Sequence, residues 1–157
     1  MAKIFISGGP GSGKTTYAKK LSKELKIPHF DLDDIKWINE KNCFNCERPK
    51  EERFALRDKI LSENDNWVIE GIYTKDWIIP ILEQSDRIII LKPSTRVRQY
   101  RIFKRWVKKI LGIEPKNHKE NLVTLFKLLR WSKAYEQYLP ELLEKIKRIN
   151  KKAEFIR

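Results

Sequence analysis

A chain of 157 residues is long enough for one domain with a single core, and its 41% hydrophobic and 11% aromatic content argues against disorder. Lysine and arginine outnumber aspartate and glutamate by 34 to 21, and the net charge of +13 suits polyanions such as nucleotides, nucleic acid or an acidic membrane surface. No apolar run approaches the roughly 20 residues that span a bilayer, so we expect a cytoplasmic protein without a membrane partner.

Apolar segments bounded by polar residues, glycine or proline predict five strands. The first is short and runs almost directly into a glycine loop, which is typical of a buried strand rather than a signal peptide. The clearest is the run RIIIL. In chain order, the predicted strands are Lys3–Ser7, His29–Leu32, Trp67–Glu70, Arg87–Leu91 and Ala153–Ile156.

Segments with helical spacing of apolar residues fill the stretches between these strands. In the first of them, Tyr17, Leu21 and Leu25 share one stripe, and Pro28 follows its end. Strands that alternate with helices predict an α/β fold, in which helices cover both faces of a parallel sheet in one domain of residues 1–157. The predicted helices are Lys14–Lys26, a short one within Asp33–Glu40, Lys50–Asn64, Lys75–Gln84 with an interruption near Pro80, Ser94–Leu111, and Lys119–Asn150 with a kink before Pro140.

The segment between the first strand and the first helix matches the phosphate-loop pattern G-x-x-x-x-G-K-[ST]. Glycines let backbone N–H groups turn inward as an anion nest, and the following helix N-terminus favours negative charge. We expect Lys14 to reach the β- and γ-phosphates of ATP, Thr15 to offer its hydroxyl to Mg²⁺, and Thr16 to line the α-phosphate. The candidate nucleotide-binding residues are Gly8, Gly9, Pro10, Gly11, Ser12, Gly13, Lys14, Thr15 and Thr16.

Carboxylates follow two of the predicted strands. Asp33 and Asp34 come after the second strand, and Glu70 ends the third, before Gly71. Ligands of parallel sheets gather beyond the carboxyl ends of the strands, where a carboxylate can hold the water shell of Mg²⁺ or accept a proton from an acceptor hydroxyl. We expect Asp33 to be functional, Glu70 to be either functional or structural, Asp34 to serve as a helix N-terminal charge, and Asp31 to be structural.

The predicted helix Ser94–Leu111 is strongly basic. Arg98, Arg101 and Arg105 lie three and four residues apart, so they are expected to share one face. One interpretation is a kinase lid, whose arginines neutralise charge that develops during phosphoryl transfer. A solvated helix and a nucleic-acid surface with interleaved aromatic residues are the alternatives.

Two cysteines, Cys43 and Cys46, form a Cys-x-x-Cys pair in a polar segment. Two thiolates supply half of a tetrahedral zinc site, and neither His29 nor His118 has finger-like spacing to them. Inert surface thiols are the favoured interpretation, with a shared or dimer-bridging zinc and redox chemistry as alternatives.

The chain resembles the P-loop small-molecule kinases related to adenylate kinase, and among them most closely the bacterial DNA topology modulation proteins. The resemblance runs from Lys3 to about Arg105. The fourth of its five pieces departs from the family, which usually has Asp-Gly-Asn-Tyr where this chain has Glu70 to Tyr73. The pieces are the GGPGSGKTT loop, HFDLDDIKW, ERPKEERF, WVIEGIY, and RIIILKP with the arginine-rich helix after it.

The resemblance implies a three-layer P-loop NTPase fold with five parallel strands in the order 2-3-1-4-5 and a helical lid near residues 101–119. By position, Arg101 and Arg105 are similar to lid arginines that contact the nucleotide and its phosphates. Arg53 and Arg57 lie on the helix that borders the acceptor pocket in such kinases.

Together these observations predict a kinase that transfers the γ-phosphoryl group of MgATP to a small acceptor. Lys14, Asp33, Arg101 and Arg105 would be catalytic. The acceptor, a nucleoside, nucleotide or other small molecule, would lie near Asp33, Arg53, Arg57, Glu70 and Gly71. The alternatives are a nucleic-acid-associated NTPase and a nucleotide-binding regulator that affects DNA topology. The protein is expected to be a monomer or a homodimer.

Overall fold

The computed structural model describes residues 2–38, 46–113, 122–149 and 151–157. These residues form five strands: β1 (Lys3–Gly8), β2 (His29–Asp31), β3 (Trp67–Gly71), β4 (Arg87–Leu91) and β5 (Ala153–Ile156). They also form six α-helices: α1 (Lys14–Leu25), α2 (Leu32–Lys36), α3 (Lys50–Glu63), α4 (Ile79–Gln84), α5 (Thr95–Ile110) and α6 (Leu122–Arg148). No helix within these ranges is long and apolar enough to cross a membrane.

The five strands pair in parallel in the order β2-β3-β1-β4-β5, which confirms the predicted topology. In the register, Glu70 of β3 lies between Ile6 of β1 and Asp31 of β2. The carboxyl ends of the central strands therefore bring the phosphate loop, which follows β1, next to the acidic residues that follow β2 and end β3.

Side chains that alternate along the strands fill two apolar layers. Ile4 and Ile6 of β1 pack in the layer that contains Ala18 of α1, whereas Phe5 packs in the layer beneath α3, α4 and α6. Nearly continuous burial of β1, β3 and β4 explains why their sequences are apolar runs rather than alternating patterns.

Two prolines lie within the predicted helices, and the kink expected before the second of them stays a prediction. Pro80 lies in the first turn of α4, after a 3₁₀ turn at Asp76–Ile78, so it begins this helix rather than interrupting a longer one. That position needs no backbone N–H donor. Pro140 lies inside α6, which continues to Arg148.

Arg98 is a fully buried side chain that ties α5 to α6. Its Nη1 donates to the carbonyl of Pro93 at 3.0 Å and to Oε1 of Glu136 at 3.0 Å, and its Nη2 donates to the carbonyl of Ser132 at 2.9 Å. The hydroxyl of Ser132 in turn donates to the carbonyl of Pro10 at 3.2 Å. One guanidinium thus fastens two helices beside the phosphate loop.

The burial of Arg98 corrects the expectation that it shares an open basic face with Arg101 and Arg105. Because its charge is buried, Arg98 cannot contact a polyanion in solution. Its hydrogen bonds instead hold helices α5 and α6 together. Only Arg101 and Arg105 turn toward the loop.

We predict that Arg98→Met lowers the free energy of unfolding by about 3 kcal/mol, because it leaves buried acceptors without donors. Urea unfolding measures this loss. Arg96→Met, on the exposed side of the same helix, is the matched control and should change the free energy by less than about 0.5 kcal/mol. Equal losses in the two variants would contradict the clamp role of Arg98.

Candidate nucleotide and acceptor site

The phosphate loop joins β1 to α1 through backbone conformations that favour glycine. Gly11 has φ +77° and Gly13 has φ +90°, both in the left-handed region. Gly13 caps α1 without a side-chain hydrogen bond, so the first N–H groups of the helix are left to a ligand.

Helices α5 and α6 press on the outer side of this loop. A Cβ atom on Gly9 would lie 2.8 Å from ring carbons of Tyr135, and one on Gly11 would lie 2.4 Å from the carbonyl oxygen of Arg98. Backbone and aromatic ring leave no room for any larger residue, so the two helices fix the path of the loop.

A cavity of about 270 Å³ lies over the loop. Nη1 of Arg101 donates to the carbonyl of Ser12 at 2.9 Å, and Arg105 lies one helical turn further along the same wall. The cavity therefore combines a helix N-terminus with three cationic side chains, a suitable environment for several phosphate groups. Its lining comprises Gly9, Gly11, Ser12, Gly13, Lys14, Thr15, Thr16, Arg101, Ile102 and Arg105.

A second cavity of about 460 Å³ shares Ser12, Gly13, Thr16 and Arg101 with the first. The sequence did not indicate it. Its remaining wall comes from α1, from the segment after β4 and from the end of the chain: Tyr17, Lys20, Leu91, Pro93, Ile156 and Arg157. The only indication of these residues in the sequence was the general rule that ligands of parallel sheets bind beyond the carboxyl ends of the strands. A ligand with an anionic end and a flatter, less polar end fits the two adjoining cavities.

Lys14 and Glu70 form an ion pair across the loop, with 3.6 Å between Nζ and Oε2. The carboxylate of Glu70 is fully buried, and neither of its oxygens accepts a hydrogen bond from the described part of the chain. Nε2 of His29 lies 3.6 Å from Oε1, but burial lowers the pKa of His29, so this contact joins a neutral imidazole to a carboxylate. The buried oxygens of Glu70 are thus poised for a cation or its water shell.

Asp31 caps helix α2, as expected of a structural residue. Its Oδ1 accepts a hydrogen bond from the backbone N–H of Asp33 at 2.9 Å. Burial and the nearby charge of Glu70 raise the pKa of Asp31 from 3.8 to about 6. The neighbouring Asp34 lies in the first turn of the helix, which fits a helix N-terminal charge, and it lines a polar cavity of about 250 Å³ together with Thr15 and Asp31.

Asp33 is held by an aromatic pair that the sequence did not reveal. The hydroxyl of Tyr73 donates to Oδ1 of Asp33, and the indole Nε1 of Trp37 donates to the Tyr73 oxygen at 3.2 Å. Burial and the hydrogen bond to Asp33 raise the pKa of Tyr73, so the phenol keeps its proton and acts as the donor. We call these three residues, at the carboxyl ends of β2 and β3, the acceptor end.

The other predicted acceptor residues have structural partners. Arg57 is buried, and its Nη1 donates to the carbonyl of Trp77 at 2.7 Å. Nη1 of Arg53 donates to Oε1 of Glu47 at 2.5 Å. Gly71 permits a close approach, because a Cβ there would lie 2.6 Å from Cδ1 of Leu32. None of these three makes a described hydrogen bond to Asp33.

Magnesium fits this site better than a protein-only metal centre. No three His, Cys, Asp or Glu side chains of the described ranges are arranged to hold a metal ion. Magnesium instead uses one or two protein oxygens together with phosphates and waters. The hydroxyl of Thr15, which lines the cavity over the loop, and the buried oxygens of Glu70, which accept no described hydrogen bond, are of the kind it needs. Cys46 is disulfide-bonded, which differs from the expected free thiols, and Cys43 lies outside the described residues. Zinc binds thiolates, so a zinc role of this pair stays a prediction for its reduced form.

Comparisons with known proteins agree with the fold and the loop. Residues 7–35 match the family described as AAA domain. The chain is 26% identical to the uncharacterized protein YqaC of Bacillus subtilis over 137 residues, 85% of this chain and 72% of that protein. It is 33% identical to the cytidylate kinase of Sulfurisphaera tokodaii over 113 residues, 65% of this chain but only 61% of the kinase.

A solved structure shows the same architecture. The shikimate kinase from Acinetobacter baumannii, in complex with shikimate, matches with a TM-score of 0.52 at 19% identity, and the match covers 100% of this chain and 84% of that chain. At this identity the likeness establishes the fold, which is that of the P-loop NTPases.

Because the pKa of Asp31 is raised, we predict that Asp31→Asn increases the free energy of unfolding, and that this increase depends on pH. The folded state binds the proton of the Asp31 carboxyl group more tightly than the unfolded state does. The contribution of Asp31 to the free energy of unfolding of the wild type therefore falls as pH rises from about 4 to about 6. Asparagine also caps helices, so the variant should unfold with a free energy about 1–2 kcal/mol higher at pH 7.5, after allowance for solvent screening, and with no gain at pH 4.

Urea unfolding at the two pH values tests this prediction. Asp65→Asn, at an exposed carboxyl before β3, is the control and should show no such pH dependence. A gain of equal size at pH 4 and pH 7.5 would contradict the assignment of the raised pKa to Asp31.

Proposed function

We propose that the chain is an ATP-dependent phosphotransferase that carries the γ-phosphoryl group of MgATP to a small acceptor. The observation that carries the proposal is the cavity in which Lys14, Arg101 and Arg105 converge on the phosphate loop. Lysine and arginine in this position neutralise charge on the transferred group, which is the main demand of phosphoryl transfer.

The two adjoining cavities give ATP an orientation. Its triphosphate would lie over the loop, with Thr16 near the α-phosphate, and its nucleoside would occupy the larger cavity between Tyr17 and Ile156. Arg101, which lines both cavities, would contact the nucleotide along its length. The γ-phosphate then points toward the acceptor end.

Magnesium would be held by the hydroxyl of Thr15 and, through water, by the carboxylate of Glu70. Bound there, it would neutralise charge on the β- and γ-phosphates. In the described structure Lys14 pairs with Glu70, so Lys14 exchanges a carboxylate for phosphate oxygens when the nucleotide binds. Asp33, Tyr73 and Trp37 would face the acceptor.

The similar proteins support this class of reaction, because they include a cytidylate kinase and a shikimate kinase. The closer relation to DNA topology modulation proteins, the cytoplasmic location, the lid at residues 101–119 and the monomeric or dimeric state are further parts of the proposal. Residues 114–119 of that lid lie outside the described ranges.

Lys14→Ala is expected to lower phosphoryl transfer from ATP by at least about 100-fold, because the variant loses a charge that contacts the transferred group. ADP release in the presence of nucleosides, nucleoside monophosphates and sugars measures the effect. Lys23→Ala, near the exposed end of the same helix, removes an equal charge and should keep wild-type turnover. Robust turnover by Lys14→Ala would refute the proposed site.

A second candidate function, association with nucleic acid, is favoured by the distribution of charge. Residues 92–135 contain thirteen lysines and arginines and two glutamates, and therefore hold +11 of the net charge of +13. We call Arg96, Tyr100, Phe103 and Lys104 the outward face of α5. All four are exposed, and Nζ of Lys104 lies 6.0 Å from the ring centroid of Tyr100. Cations beside exposed rings suit single-stranded nucleic acid.

This candidate predicts that log affinity for a labelled single-stranded oligonucleotide falls linearly with log salt. Removing Arg96 and Lys104 together, each to Ala, should reduce the slope by about 1–2, whereas the control pair Lys23→Ala and Lys59→Ala should not. Fluorescence anisotropy at several salt concentrations measures both. The same slope in both double variants would exclude the outward face of α5 as a binding surface for nucleic acid.

A nucleotide-binding regulator without catalysis is the remaining alternative. It predicts that MgATP binds and that no phosphoryl group reaches any acceptor.

A further inference from the structure

The acceptor end contains a carboxylate in a fixed position. Tyr73 donates one hydrogen bond to Oδ1 of Asp33, and Trp37 orients Tyr73 with a hydrogen bond of its own. Asp33 is itself exposed, so Oδ2 is open to a bound molecule. A carboxylate with one oxygen anchored and the other accessible is suited to accept a proton.

Four cations of this region are already paired with carboxylates of the protein. Nζ of Lys36 lies 3.9 Å from Oε1 of Glu47, the same oxygen that accepts a hydrogen bond from Arg53. Nε of Arg57 donates to Oδ1 of Asp58 at 2.7 Å.

Arg48 is paired in the same manner. Its Nε donates to the carbonyl of Ile35 at 3.1 Å, and its Nη1 lies 3.8 Å from Oε2 of Glu52. A phosphate-bearing acceptor needs guanidinium or ammonium groups that can turn toward it. Lys36, Arg48 and Arg53 would first have to leave a carboxylate. Arg57 would have to leave Asp58 and also give up its hydrogen bond to the buried carbonyl of Trp77.

The charge balance at the ends of β2 and β3 points the same way. Asp31, Asp33 and Glu70 lie within one short stretch of the sheet edge, and Lys14 is paired with Glu70. In the proposed reaction Lys14 moves to the ATP phosphates and magnesium takes its place beside Glu70. Asp33 has no ion pair with a lysine or arginine of the described residues, so its carboxylate would repel a second phosphate group.

We infer that the acceptor is an alcohol hydroxyl on a molecule without a phosphate group, and that Asp33 is the catalytic base. The inference rests on the proposed kinase function. It chooses between two acceptors that the sequence leaves open, a hydroxyl and a phosphate. Asp33 can accept the proton of a hydroxyl, whereas a phosphate would need arginines that are free to bind it.

The step balances without any further reactant. The acceptor hydroxyl oxygen forms a bond to the γ-phosphorus, and the bond between that phosphorus and the β–γ bridging oxygen breaks. The hydroxyl proton passes to Oδ2 of Asp33, ADP leaves with the electron pair of the broken bond, and the product is a phosphomonoester.

Wild-type protein with MgATP and two acceptor panels provides the test. One panel holds nucleosides, sugars and polyols, and the other holds nucleoside monophosphates and sugar phosphates. ³¹P NMR distinguishes a new phosphomonoester from a new phosphoanhydride. We expect phosphomonoesters from the first panel and no anhydride from the second.

Two substitutions test the role of Asp33 with the acceptor found in this way. Asp33→Asn should lower kcat by about 100-fold or more and leave the KM for ATP unchanged, because the base acts on the acceptor and not on the nucleotide. Asp65→Asn removes the same charge from an exposed position before β3 and should keep kcat within about threefold. Tyr73→Phe, which loses the anchor of the carboxylate, should lower kcat about tenfold, again at constant KM for ATP.

The outcomes separate this inference from the proposed function. Anhydride formation on a monophosphate, or full kcat in Asp33→Asn, would overturn the hydroxyl acceptor and leave the kinase proposal standing. Absence of MgATP binding, measured by calorimetry, would overturn both.

Discussion

The packing of α5 and α6 against the phosphate loop is the constraint on which the rest of the site depends. Gly9 lies against the ring of Tyr135, and Gly11 lies against the backbone carbonyl of Arg98. The buried guanidinium of Arg98 then fastens the two helices to each other, and Ser132 fastens them to the loop. The conformation of the loop is thus set before any nucleotide binds, which lowers the entropic cost of organising the N–H groups around phosphate.

The same clamp places the arginines that face the cavity. Arg101 and Arg105 follow Arg98 by three and seven residues, so the burial of Arg98 against α6 fixes the rotation of α5 and turns the other two toward the loop. Stability and function therefore use different members of one basic helix. If the proposed phosphoryl transfer occurs, a substitution that loosens Arg98 would misplace the two arginines relative to the transferred group, which they must approach to within about 3 Å.

Local patterns in the sequence predicted most of the fold, but they could not predict contacts between residues far apart in the chain. The loop motif and the run at β4 carry their own signals, and the strand order came from the resemblance of motifs. Helical spacing could not separate the buried Arg98 from its exposed neighbours, because the spacing shows that residues share a face and not what covers it. The contact of Tyr73 with Asp33 spans 40 positions and was invisible for the same reason.

The claim that the phosphate loop grips the triphosphate of ATP is tested most directly by comparing calorimetric affinities for MgATP and adenosine. In the proposed orientation the nucleoside would occupy the larger cavity in both cases, so the difference would report the contacts of the phosphates alone. The structure predicts that MgATP binds at least about 100-fold more tightly, which corresponds to a few charge-assisted hydrogen bonds. Equal affinity for the two ligands would contradict the assignment of the loop, Lys14 and Arg101 to phosphate binding.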